Sequence, residues 1–123
     1  MFEWKEFTSH SGKSLRWKID CDDLTDEDIE CIARIIHNQL KLRFCKVYGI
    51  PSGGMRLAAA LQKYCSKSSS RTLIVDDVLT TGNSMINARQ ELIKRGEKPV
   101  EGVVIFSRGP CPPWIISIFT CSI

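Results

Sequence analysis

One run limits the folds open to this chain more than any other: Leu73-Ile74-Val75-Asp76-Asp77-Val78-Leu79-Thr80-Thr81-Gly82-Asn83-Ser84. Three apolar residues mark a buried strand, and two adjacent carboxylates end it. A small, hydroxyl-rich loop follows, and a helical pattern begins at once. That order of parts turns the backbone N–H groups of the loop and of the first helical turn toward a phosphate, with the helix dipole favouring its charge. Thr80, Thr81 and Ser84 add hydroxyl donors, and Gly82 lets the backbone approach a ligand closely. The acidic pair, at the carboxyl end of the strand, suits hydrogen bonds from vicinal ribose hydroxyls. An ordinary strand–turn–helix with a solvated acidic turn needs only one or two of these residue types, so the whole run implies a site for a phosphorylated sugar.

At 123 residues the chain has the length of one domain, residues 1–123, with a single modest core. A net charge of +3 suits polyphosphate ligands but is too weak and too dispersed for a nucleic-acid partner. Met1-Phe2-Glu3-Trp4-Lys5-Glu6 is charged from the start and lacks the apolar stretch of a signal peptide. Trp114-Ile115-Ile116, resuming as Ile118-Phe119, is far too short to span a bilayer, so no membrane partner is expected. Cys21, Cys31, Cys45, Cys65, Cys111 and Cys121 are scattered, with no C-x-x-C pair and no histidine in ligand spacing. Most fall in apolar patterns, where cysteine acts as a small hydrophobe, and a reduced cytoplasmic protein is expected. His10 and His37 have no partner at a telling spacing.

The remaining pattern alternates helix and strand. Leu15-Arg16-Trp17-Lys18-Ile19-Asp20 alternates apolar and polar residues, the mark of a half-exposed strand. Thr25 suits the N-cap of a helix with Asp26, Glu27 and Asp28 in its first turn, and Ile29, Ile32, Ile36 and Leu40 form its apolar stripe. Cys45-Lys46-Val47-Tyr48-Gly49-Ile50 predicts a buried strand ending at Pro51. Leu57, Ala58, Leu61 and Cys65 mark the next helix face. The helix after the acidic run carries Met85, Ala88 and Leu92 and stops at Gly96, with Pro99 close behind. Residues 100–106 give one more apolar strand. Strand–helix–strand–helix–strand with short links predicts an α/β fold, a parallel sheet with right-handed crossovers flanked by helices. Ligands bind such sheets outside the carboxyl ends of the strands.

A second loop strengthens the first. In Tyr48-Gly49-Ile50-Pro51-Ser52-Gly53-Gly54-Met55-Arg56 the glycines let successive N–H groups turn toward phosphate oxygens, although Gly-Gly before a helix is by itself equally a tight turn.

The acidic run resembles the phosphoribosyl-pyrophosphate motif of type I phosphoribosyltransferases: a few apolar residues, two acidic, two apolar, then a Thr-Gly loop closing on Ser or Thr. The match is gapless from Leu73 to Ser84. The loop at Pro51, Ser52, Gly53 and Gly54 is similar to the family's pyrophosphate loop, which often holds a cis peptide. Ser9-His10-Ser11-Gly12-Lys13-Ser14 and the strand after it resemble the opening of orotate phosphoribosyltransferases, or are a polar turn into a hairpin strand. Val103-Val104-Ile105-Phe106-Ser107-Arg108 resembles the family's last core strand. Resemblance covers most of the chain and is strong over residues 49–54 and 73–84.

The resemblance implies a small hood from the N- and C-terminal segments over the sheet. It implies that Asp76 and Asp77 hold the ribose hydroxyls and serve catalysis, while Thr80, Thr81, Gly82, Asn83 and Ser84 anchor the 5-phosphate. Mg2+ would be the cofactor, held by substrate oxygens and waters with no direct protein ligand. Arg108 and Lys13 would meet the base, Arg108 through two hydrogen bonds to a carboxylate; a surface arginine closing the strand is the plain alternative. Thr80 stands where purine enzymes usually carry aspartate, which points to an orotate-like pyrimidine. A homodimer is expected, both from related enzymes and from the apolar segment with Trp114, Ile115, Ile118 and Phe119. Two departures matter. Ser52 replaces the usual basic residue, and Ser66-Lys67-Ser68-Ser69-Ser70-Arg71 stands where orotate enzymes carry a further strand and a long catalytic loop. The implied activity is transfer of a phosphoribosyl group to a nitrogenous base. Its alternative is a non-catalytic binder of phosphoribosyl pyrophosphate or a nucleotide.

Overall fold

Strand β4 (Thr72–Leu79) organises the molecule, and Leu73, Ile74 and Val75 within it are fully buried. The structure is a computed structural model that describes the backbone of residues 2–8, 14–19 and 23–120 and the side chains of residues 23–120. β1 (Phe2–Thr8) and β2 (Ser14–Ile19) form a separate antiparallel hairpin. The helix α1 (Asp26–Arg34) leads to β3 (Lys46–Gly49), α2 (Met55–Leu61), β4, α3 (Asn83–Lys94), β5 (Val100–Ser107) and β6 (Ile115–Thr120). β3, β4, β5 and β6 lie side by side in that order in one parallel sheet.

The pleat sorts the core. Leu73, Val75, Val103 and Ile105 face α1 and α2, where they meet Ile29, Ile32, Ile36, Leu57 and Leu61. Ile74, Val104 and Ile115 face the other way, against Met85 and Leu92 of α3.

Helix ends follow their local signals. The Thr25 hydroxyl accepts the Asp28 N–H at 3.1 Å, and the Asp28 carboxylate accepts the Thr25 N–H at 2.9 Å, a reciprocal capping box. α3 ends where Gly96 takes φ +92°, with Gly96 N–H donating to the Ile93 carbonyl and Glu97 N–H to the Leu92 carbonyl. The α1 stripe holds at Ile29, Ile32 and Ile36 but fails at Leu40, which is 43% exposed. From Ile35 to Gln39 the helix widens to a π-turn, and the Leu40 N–H reaches back to the Ile35 carbonyl. The wider turn rotates Leu40 off the 3.6-residue stripe.

Four other features depart from the sequence pattern. β4 continues through Asp76 and Asp77 to Leu79, because Asp76, Val78 and Leu79 pair with Val104, Phe106 and Ser107 of β5. β3 is an edge strand with Lys46 and Tyr48 exposed, so it is only partly covered. The C-terminal segment joins the main sheet as β6. Ile115 is buried there, and Phe119 stacks on Phe106 at 5.2 Å between ring centroids. Finally, α2 and α3 lie on opposite faces although the chain steps the same way from β3 to β4 to β5. Two such crossovers have opposite hands, so only one follows the right-handed rule. Residues 65–71 link the short 3-10 turn after α2 (Gln62–Tyr64) straight to β4 with no strand between.

Candidate functional site

The carboxyl ends of β3, β4 and β5 carry both glycine loops and Arg108. After β3 the chain is drawn onto β4 by the Ile50 N–H, which donates to the Val75 carbonyl at 2.9 Å. It then folds tightly, with Gly54 N–H on the Ile50 carbonyl at 2.8 Å and Met55 N–H on the Ser52 carbonyl at 3.2 Å. The Pro51–Ser52 peptide is cis, as the family pattern has it. Contact with β4 is so close that side chains are excluded. A Cβ on Gly54 would collide with the Val75 carbonyl oxygen and lie 2.7 Å from the Ile50 nitrogen. A Cβ on Gly53 would lie 2.5 Å from Cγ of Asp77 and collide with its carboxylate oxygens. The two motifs, more than twenty residues apart in sequence, therefore meet at Gly53 and Asp77.

Alternation along β4 divides the acidic pair. Asp77 faces the Gly53 loop that leads into α2, while Asp76 lines a small cup closed by the start of α3. Both are half-buried. The Asp77 N–H donates to Oδ1 of Asp76 at 2.8 Å, and the Val78 N–H to Oδ1 of Asp77 at 2.7 Å. Burial is the main reason that the Asp76 carboxyl is pushed up to about 7. The neighbouring Asp77 carboxyl raises it further, and the Asp77 N–H partly offsets both.

The cup holds about 40 Å3 and is bordered by Asp76, Thr80, Thr81, Gly82, Asn83 and Ser84, the residues that the sequence picks out. Val78, Leu79 and Met85 complete it. These three escape a search for polar chemistry, although their apolar places inside the motif are the signal that finds them. Gly82 caps α3 at φ +82°, a left-handed conformation that favours glycine, and supplies no side-chain acceptor to the first turn. Asn83 N–H is turned back to the Thr81 hydroxyl at 3.3 Å. Thr80, Thr81, Asn83 and Ser84 are exposed, so the loop and the start of α3 open to solvent at one point.

Arg108 follows β5 directly, and its N–H donates to the Leu79 carbonyl at 3.4 Å, which sets it beside the exit of β4. Its side chain is exposed. Ser107, which sequence reasoning passes over, is buried and shapes this turn: its hydroxyl bonds the Gly109 carbonyl and accepts the Gly109 N–H. Pro51, Ser52 and Gly53 are exposed around the acidic pair, and Gly54 is buried beneath them. Lys13 lies outside the described residues.

No family model and no curated protein sequence matches the chain. Solved structures do. Orotate phosphoribosyltransferase from Aeropyrum pernix superposes with a TM-score of 0.75 at 20% identity, over 97% of this chain and 87% of that one. Orotate phosphoribosyltransferase from Mycobacterium tuberculosis gives 0.73 at 16% identity, over 97% and 89%. A hypothetical protein from Neisseria gonorrhoeae with bound ppGpp gives 0.58 at 15% identity, over 78% and 82%. The parallel sheet flanked by helices is thus the type I phosphoribosyltransferase fold.

Two expectations follow from this geometry. Gly54→Ala drives a Cβ into backbone and should destabilise the protein by about 1–3 kcal/mol in urea denaturation, as overpacking does. Gly109→Ala has open space around it and should be near neutral in the same assay. Asp76 gives a pH signature. Its folded pKa lies above the ordinary value of 3.8, so the stability it supports is complete below about pH 4 and is lost as pH rises through about 7. Asp76→Asn should lack this decline, so urea midpoints of parent and variant should diverge between pH 4 and 7 and run parallel above.

Proposed function

We propose that the protein transfers a 5-phosphoribosyl group from phosphoribosyl pyrophosphate to a nitrogenous base, an orotate-like pyrimidine, with release of pyrophosphate. The observation that carries this reading is the contact of Gly53 with Asp77 on one side of β4 and the Asp76-lined cup on the other. One ligand with phosphates at both ends and hydroxyls between them fits that order. Residues Thr80, Thr81, Gly82, Asn83 and Ser84 hold the 5-phosphate at the start of α3, and Pro51, Ser52, Gly53 and Gly54 face the pyrophosphate. Asp76 and Asp77 accept the ribose hydroxyls, which fixes the anomeric carbon for attack by a ring nitrogen as its bond to pyrophosphate breaks. Rate enhancement comes from positioning and from charge stabilisation of an oxocarbenium-like transition state.

Two half-buried carboxylates beside the phosphate loops fit a hydrated Mg2+ that arrives with the substrate. When bound, the ion neutralises charge on the departing pyrophosphate. Arg108, beside the exit of β4, meets a carboxylate on the base, with Lys13 as its second contact. Residues 1–123 act as one domain in the cytoplasm. The chain pairs as a homodimer, supported by the open sheet edges at β3 and β6. Sedimentation at micromolar concentration should give twice the chain mass, and a monomer with and without ligand would overturn the pairing.

A second reading on the same fold is a non-catalytic sensor of phosphoribosyl pyrophosphate or a nucleotide. The short link at residues 65–71 favours it, since nothing there corresponds to a catalytic cover, as does the ppGpp-bound relative. Calorimetry with phosphoribosyl pyrophosphate and magnesium, followed by pyrophosphate release over a panel of bases, separates the two. Binding with turnover supports the transferase, binding alone the sensor, and no binding removes both. Asp76→Asn/Asp77→Asn should abolish binding while leaving the fold. Arg108→Ala should cost orotate about 2–4 kcal/mol and phosphoribosyl pyrophosphate far less. Equal losses would remove the acidic-base assignment.

A further inference from the structure

At the opposite end of the sheet, an open cleft of about 590 Å3 lies between the C-terminal half of α3 and the start of β5. The six remaining residues of β5, Gly102 to Ser107, separate it from the carboxyl end of that strand, about 20 Å. Its volume falls in the range that takes small molecules.

Its parts are fixed in place. The Trp114 carbonyl accepts the Gly102 N–H at 2.8 Å, and the indole edge rests on Gly102, where a Cβ would stand 3.2 Å from Cζ3. Arg89 lies over this indole with its guanidinium carbon 4.8 Å from the ring centroid, and its Nε donates to the Val100 carbonyl at 3.0 Å. Cation–π contact and hydrogen bond together orient the guanidinium before any ligand arrives. Lys98 adds a second positive charge at the rim. The cleft also contains the carboxylate of Glu101, but that group faces Arg71 Nε at 3.2 Å. Ile93, 38% exposed, and Pro113 supply apolar wall.

We infer that this cleft is a second ligand site, for a small organic anion with a flat apolar body. The charge argument sets the sign: two cations face the space, and its carboxylate already has a cationic neighbour. The walls set the shape, because Trp114, Ile93 and Pro113 offer apolar surface that a fully hydrated inorganic anion would not cover. The inference is independent of the proposed transfer, since no lining residue is among those assigned to it.

The test uses the full chain, 2-naphthoate as probe and the Trp114 indole N–H resonance as readout. The expected result is a saturable shift with millimolar or tighter affinity, weakened about ten-fold or more by Arg89→Gln. 2-Naphthalenemethanol, flat but neutral, and acetate, charged but not flat, should each bind at least about ten-fold more weakly. If Arg89→Gln does not fold, the exposed Lys98→Gln serves instead, with several-fold weakening expected. Asp76→Asn/Asp77→Asn should leave the affinity unchanged. No saturable shift, equal binding of the neutral analogue, unchanged affinity in the folded charge variant, or loss of binding in the aspartate variant would each overturn the proposal.

Discussion

Everything at the candidate site depends on how closely the loop after β3 lies on β4. Val75 is fully buried, and its carbonyl is the fixed point. It receives the Ile50 N–H, and the Gly54 backbone lies so close that no side chain fits between. Because β4 pairs on both edges and is covered on both faces, that carbonyl has almost no freedom to move, and the loop inherits its rigidity. Gly53 is thereby set against the Asp77 carboxylate. A loop held by contacts to mobile surface groups would not keep backbone donors in register with a carboxylate.

The same strand decides how the acidic pair is used. Neighbouring residues on a pleated strand point to opposite faces, so Asp76 and Asp77 face two different loops although they are adjacent in sequence. Their burial has an electrostatic consequence. Burial first, and the Asp77 carboxyl beside it second, make Asp76 resist ionisation, and its carboxyl is pushed up to about 7. A ligand that brings hydroxyl donors and a divalent cation relieves that resistance, whereas a bare polyphosphate would add to it. The α3 start, capped by a glycine without a side-chain acceptor, supplies the complementary positive end.

The short link between α2 and β4 bears on the hand of the α2 crossover and on the place of β3. With only a 3-10 turn and residues 65–71 between them, α2 leads from β3 directly to its neighbour β4. Helices α2 and α3 lie on opposite faces, so the two hands differ, and β3 is an edge of the sheet among the described residues.

The sequence by itself determined whatever depends on a few neighbouring residues. Thr25 and Asp28 form their capping box within one turn, Gly96 ends α3 through its own left-handed φ, and residues 80–84 make the cup because hydroxyls, glycine and helix start are consecutive. The alternating faces of β4 and β5 follow equally from the order of their side chains. Tertiary structure decided what depends on the neighbour in space. Leu79 belongs to β4 only because Ser107 lies opposite, and Ile115 of the apolar C-terminal segment is buried because β5 offers it an edge, while Phe119 stays 43% exposed. The meeting of Gly53 with Asp77 is of the second kind. Each residue carries its own conformational and charge preference in the sequence, but their distance is set by sheet pairing between β3 and β4, and pairing is a long-range choice that local preferences do not encode.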